Sequence, residues 1–345
     1  MSALLHGSSP GALRSRRLAD VETGWSLARE AKLLGGVAYR RLNGSAPPMM
    51  AEADLPSLSA NTGEIDGWLV DADVRHGTSG AVRWATDGQW LFGAFDSTEA
   101  EAAGQLDELV QGAYANIFQA LESAGVPHLL RLWNYLPNIN REQLGLERYR
   151  QFNLGRQQAF LNAQRDAFAG APAACALGTF GGPMRIRFLA GRVAPVPLEN
   201  PRQVPAWRYP TEFGPRSPTF SRAVLVPISP QEVTLLISGT ASIVGSASVH
   251  PGDVPRQMEE TLRNLEAVMG AAHARCSARF ALADLVCTVY VRHAADVDDV
   301  RRCFERGVGA GSLAAQRAIY VQADICRSDL LLEVEAHATA AGALT

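Results

Sequence analysis

The sequence predicts an α+β protein made of two repeated units, each a mixed sheet packed on helices. The order strand, strand, helix, strand, helix, strand, strand occurs twice along the chain. Segments in equivalent places, "LRLWNYLPN" with "CTVYVRHAA" and "MRIRFLAG" with "LLLEVEAH", share pattern but little identity. At 345 residues, 47% apolar and 19% charged, the chain is long enough for two domains with sizeable cores.

Residues 1–75 are expected to be irregular, because "NGSAPPMMAEADLPSLSANTGE" is rich in Pro, Ser, Ala and Gly. Residues 76–198 form the first unit. "GAVRWAT" and "QWLFGAF" flank a hairpin signal at Asp87 to Gln89. An amphipathic helix over 101–124 follows, with Leu106, Leu109, Val110, Ala113, Ile117, Ala120 and Leu121 at helical spacing. Then come the strand "HLLRLWNYL", a helix around "LERYRQFNLGRQQAF", and the strands "AACALGTF" and "MRIRFLAGR". Residues 199–220 read as a linker whose prolines bar regular structure. Residues 221–345 repeat the order: "RAVLVPI", "VTLLISGT", the helix "DVPRQMEETLRNLEAVMGAA", "LADLVCTVYVR", the helix "VDDVRRCFERG", "RAIYVQADI" and "LLLEVEAHA".

Several function classes are excluded. A net charge of -3 with no Lys/Arg-rich run argues against nucleic-acid or membrane-surface partners. No apolar run approaches the roughly 20 residues that span a bilayer. The N-terminus lacks a signal-peptide pattern, so a cytoplasmic location is expected. The five cysteines are scattered with no C-x-x-C, which points to free thiols and not to zinc or disulfides. "GVGAGS" follows a helix instead of a strand and reads as a helix end, not a nucleotide loop. No H-E-x-x-H or G-x-S-x-G is present, and the histidines show no ligand spacing.

Chemistry concentrates in polar-aromatic segments and on the last strand. In "LLLEVEA", Glu333 and Glu335 share one face and Leu332 and Val334 the other. Such carboxylates either face water or include an acid held in a pocket. On the second helix Tyr149, Phe152 and Arg156 share a face. Arginine's planar fork there suits either a bound carboxylate or a domain contact.

From about Arg131 onward, "LWNYLPNIN", "GLERYRQFNLGR", "ALGTFGGP", "ENPRQVPAWRYPTEFGPRSPTFSRA", "LISGTASIVG", "HPGDV" and "DICRSDLLLEVEA" resemble, in order, the chorismatase family. The resemblance implies RidA/YjgF-like (chorismate mutase-like) units and conversion of chorismate to pyruvate and a cyclic acid with no metal or organic cofactor. It places the acid that protonates the enol methylene at Glu333, leaving Glu335 as a strand-end or solvent-facing neighbour. Substrate contacts carried over are Tyr149, Arg156, Tyr209, Arg216, Arg222, Gly239 and Thr240. Gly239 and Cys326 resemble the branches that aromatise the ring to 3-hydroxybenzoate, alone or with the 4-isomer. A hydrolysing branch, giving a dihydroxycyclohexadiene carboxylate, has alanine-like residues there. A RidA-like metabolite-binding protein without activity is the other alternative. Two departures stand out: Phe213 where tyrosine is frequent, and Ser246 where histidine is common. Chorismate is the expected partner, and the chain is expected to be a monomer or small homo-oligomer.

Overall fold

The structure is a computed structural model that describes residues 12–18, 33–39, 42, 47, 49–59 and 64–345. Residues 1–11, part of the stretch without a signal-peptide pattern, lie outside them.

The first segment is more ordered than its composition suggests. Strands β1 (Arg14–Leu18), β2 (Leu33–Ala38), β3 (Met50–Glu52) and β4 (Ile65–Leu69) form a sheet in the order β1-β4-β2-β3. This corrects the expectation of an irregular segment. The strands are too short and glycine-rich to announce themselves, and tertiary contact supplies what propensity does not. Gly35 is one reason: a Cβ there would overlap the Phe92 ring, so glycine lets β2 lie directly on the core.

The first repeated unit contains β5 (Arg75–Ser79), β6 (Val82–Thr86), β7 (Trp90–Asp96), α1 (Glu99–Ala103), α2 (Leu106–Ala124), β8 (His128–Pro137), β9 (Glu142–Gln143), β10 (Leu146–Glu147), α3 (Arg148–Asn162), β11 (Ala173–Thr179) and β12 (Arg185–Gly191). Its sheet runs β11-β8-β12-β7-β6-β5. At the β6–β7 turn, Asp87 Oδ1 accepts from the backbone N–H groups of Gln89 (2.8 Å) and Trp90 (2.7 Å), with Gly88 at φ 90°. The single helix expected over 101–124 is divided into α1 and α2. Thr98 and Glu101 form a capping box at the start of α1, and Gly104 ends it after one turn.

The second unit holds β13 (Val196–Leu198), β14 (Ala223–Ser229), β15 (Glu232–Thr240), β16 (Ile243–Val244), β17 (Ala247–Ser248), α4 (Val254–His273), β18 (Val286–Val291), α5 (Val297–Val308), α6 (Leu313–Arg317), β19 (Ile319–Gln322) and β20 (Leu332–Ala341). Its sheet order, β13-β14-β15-β20-β18-β19, matches the first when β7, β8, β11 and β12 are set against β15, β18, β19 and β20. In both units one parallel pair, β8–β11 or β18–β19, borders an otherwise antiparallel sheet. The repeated α+β units expected from the sequence are therefore present. In matching registers, Arg187 of β12 lies opposite Trp133, and Glu333 of β20 lies opposite Tyr290.

Each large sheet buries its outer face under helices. α2 and α3 cover the first sheet, and α4 and α5 the second. The inner faces meet in a shared core that includes Phe92, Trp133, Val226 and Leu236, closed by Val37 and Trp68 of the N-terminal sheet. Along β20, Leu332, Val334, Ala336 and Ala338 join the helix-covered core. By strand alternation Glu333, Glu335 and His337 point the other way, into the space between the sheets, and all three are buried.

Candidate active site

The two units are tied where β11, at the edge of the first sheet, passes the second. Gly178 and Asp324 exchange backbone hydrogen bonds of 2.7 and 3.1 Å, and the Ala174 N–H donates to Ser238 Oγ at 2.9 Å. Beside this junction lies a cavity of about 650 Å³. Tyr149 and Arg156 reach it from one face of α3, and Tyr209 from the irregular linker. Arg222 comes from just before β14 and Gly239 from β15, and Cys326 and Glu333 from the chain around β20. The β9–β10 hairpin places Glu142 and Glu147 along it.

Two residues carried over by resemblance are placed elsewhere. Arg216 is exposed in the proline-rich linker and is not part of the lining. Thr240 follows Gly239 on β15 and so points away from the cavity; it lies opposite Val334, and its hydroxyl donates to the Ser238 carbonyl at 2.9 Å. Conversely, Arg327 lines the cavity although the sequence reading did not single it out. Its only sequence signal is adjacency to Cys326. Glu335 also corrects the expectation: it is 3% exposed, neither solvent-facing nor at a strand end.

Glu333 is 4% exposed and its pKa is raised to about 8. Burial is the largest cause, the charge of Glu335 adds to it, and Arg222 and Arg131 oppose both. The carboxyl therefore carries its proton through neutral pH. Gly239 makes room for it, since a Cβ there would overlap Glu333 Oε1. Burial pushes the Cys326 thiol up to about 12, with the Glu333 charge adding, so Cys326 is present as a thiol that can donate but not as a thiolate.

The cations have the opposite character. Arg156 is 1% exposed; its Nη2 donates to Asn153 Oδ1 at 3.1 Å, it lies over the Phe152 ring, and its Nε is buried with no acceptor. Arg222 Nη2 donates to the Tyr209 hydroxyl (2.7 Å) and the Val204 carbonyl (3.0 Å), and its Nε likewise has no acceptor. Arg327 Nη1 donates to the Ser246 carbonyl (2.8 Å) and Ser248 Oγ (3.3 Å), leaving Nη2 buried without one. None of the three is ion-paired to a carboxylate among the described residues, whereas Arg150 at the same cavity pairs with Glu147 at 3.3 Å. Buried guanidinium groups without counter-ions, as at Arg156 and Arg222, cost several kcal/mol each, and an anionic ligand offsets that cost. The two departures are absorbed here: the Phe213 ring supports the Arg327 guanidinium at 4.2 Å, and Ser246 contributes its backbone carbonyl.

A cavity with a proton-bearing carboxyl at one wall and unpaired guanidinium groups around it fits a small polycarboxylate that must accept a proton. The family described as "Chorismatase FkbO/Hyg5-like, N-terminal" matches residues 66–190. A 3-hydroxybenzoate synthase from Streptomyces hygroscopicus is 35% identical over 277 residues, 78% of this chain and 79% of the relative. A chorismatase from Streptomyces rapamycinicus is 38% identical over 278 residues, 78% and 80% of the two chains. A solved chorismatase structure superposes with a TM-score of 0.80 at 31% identity, covering 96% of this chain and 98% of that one.

Proposed function

The chain belongs to the chorismatase family, and on that premise we propose that it converts chorismate to 3-hydroxybenzoate and pyruvate. The observation that carries the proposal is the pairing of protonated Glu333 with Arg156, Arg222 and Arg327, which lack carboxylate partners among the described residues. Chorismate is a dicarboxylate enol ether. The guanidinium groups of Arg156, Arg222 and Arg327, with the hydroxyls of Tyr149 and Tyr209, are the donors for its two carboxylates. Each charge-assisted bond contributes about 1.5–3 kcal/mol.

Held in this way, the enol methylene receives the Glu333 proton, and the ether carbon becomes electrophilic. Addition of an oxygen at that carbon and breakage of its bond to the ring oxygen release pyruvate. Hydrolysis alone consumes one water and leaves a dihydroxycyclohexadiene carboxylate. Loss of the ring hydroxyl with one ring proton returns that water and gives the aromatic acid, so the overall conversion is a rearranged elimination. The Cys326 thiol, at the same cavity, is the group assigned to assist loss of the hydroxyl, and Gly239 keeps the ring's approach to Glu333 open.

Incubating the purified protein with chorismate, without added metal, and separating the products by chromatography with mass detection tests the reading. Pyruvate with 3-hydroxybenzoate is expected. Pyruvate with the dihydroxydiene acid would retain Glu333 and overturn the aromatising assignment. No pyruvate would leave a chorismate-binding protein. Cys326→Ala is expected to keep pyruvate release within about tenfold, because the proton that starts that release comes from Glu333, while moving the ring product toward the dihydroxydiene acid. An unchanged product ratio reduces Cys326 to packing.

A further inference from the structure

Glu335 plays no part in the reaction as just described, yet two hydrogen-bond donors and an ion pair converge on it. The Tyr39 hydroxyl (2.9 Å) and Trp133 Nε1 (3.1 Å) donate to Oε1, and Arg131 Nη2 lies 2.9 Å from Oε2. It stands two positions along the strand from Glu333 on the same face, a spacing of about 7 Å. The Cys175 thiol lies against Glu335 and also senses Glu333.

We infer that Glu335 is a positioning residue for the reaction: held by Tyr39, Trp133 and Arg131, it leaves Glu333 as the member of the buried carboxyl pair that bears the transferable proton. The inference rests on the reading of Glu333 as the acid and deepens it. Two carboxyls this close in a dry site do not both ionise freely, and the donor set decides which one does. Glu335 accepts from a phenol and an indole and is ion-paired to a guanidinium, whereas no side-chain hydrogen bond or ion pair reaches Glu333 among the described residues. Arg131 turns Nη2 to Glu335 and gives Nη1 to the Ile237 (2.7 Å) and Ala336 (3.1 Å) carbonyls, so it acts on Glu333 through its charge alone.

The other groups facing the pair leave this charge in control. Burial holds Tyr39, Tyr135 of β8 and Tyr290 of β18 as phenols, and Cys175 and Cys326 as thiols. His337, next on the same face, is kept neutral by burial, with Arg17 and Arg131 adding. Asp66 of β4 is paired with Arg17 of β1 at 3.8 Å, on the Tyr39 side of Glu335. On the cavity side, Arg222 is the cation that acts on Glu333, and β15 presents only Gly239 there.

The test is the pH profile of kcat/KM. Glu333 must be protonated to act, so activity is present below its pKa and lost as pH rises through about 8. In Glu335→Gln the like charge is gone and Arg131 remains, so the alkaline limb is expected to move down by about one to two pH units. The low-pH plateau stays within about threefold of the parent, since the proton donor is intact. Uniform loss of activity with an unmoved limb would make Glu335 merely structural and overturn the inference. If the single variant does not fold, Arg131→Leu/Glu335→Gln removes both charges. A smaller downward shift is then expected, because the Glu335 charge acts on Glu333 more strongly than that of Arg131. An infrared titration of the protonated carboxyl band, assigned by its loss in Glu333→Gln, reads the same ionisation without substrate. A shifted band beside absent chorismate turnover overturns the proposed reaction and leaves the coupling standing. An unshifted band overturns the coupling.

Discussion

Glu333→Gln is expected to bind chorismate and to lose turnover by about a thousandfold or more, the upper range for removing a positioned general acid whose protonation opens the reaction. The amide fills the same space beside Gly239 and keeps a donor, so the cavity and its arginines remain as they are. Calorimetric titration with chorismate, beside a pyruvate assay, separates the two effects; turnover within tenfold of the parent would remove Glu333 from the chemistry. Stability gives a second readout. The folded state holds the Glu333 proton up to about pH 8, and an ordinary glutamate loses it near 4.5. Between those values the folded chain binds more protons than the unfolded one, so stability declines as pH rises through the window. Glu333→Gln removes that slope and is expected to gain thermal stability over the parent most clearly above pH 8.

Arg156→Leu is expected to raise the chorismate dissociation constant about a hundredfold, as loss of roughly 3 kcal/mol of paired charged hydrogen bonding implies. Thermal stability should hold or improve, because a guanidinium with an unsatisfied Nε leaves a buried site that has no carboxylate to pair with it among the described residues. A structural arginine gives the reverse pattern: unfolding with substrate affinity unchanged. Affinity and melting temperature measured on one preparation decide between them.

Much of the architecture was legible because two periodicities carry it. The alternation in "LLLEVEA" put Glu333 and Glu335 on one face, and the structure keeps them there. Alternation does not say what covers a face. A strand-end or solvent-facing Glu335 is what the sequence suggests, because the elements that bury it, Arg131 and Trp133 from β8 and Tyr39 after β2, are distant along the chain. The helix period likewise brought Tyr149 and Arg156 to one cavity wall. In the linker there is no period to read. Tyr209 enters the cavity and Arg216, seven residues later, stays in solvent, and proline-punctuated backbone gives no rule that separates them. The N-terminal strands escaped notice for a related reason: three to six residues long, they are strands because Phe92 and its neighbours lie beneath them.

The matched registers of β12 and β20 have a consequence for how labour is divided along the chain. Where the second unit carries Glu333, the first carries Arg187, 1% exposed and joined to Asp96 at 2.6 Å. The same point of the same fold holds an acid in one copy and a neutralised base in the other. At this strand position the first unit therefore presents a paired guanidinium to the interior and the second a carboxyl. The duplicated fold has thus become asymmetric inside, and its two copies line one shared vessel with different chemistry instead of forming two equal ones.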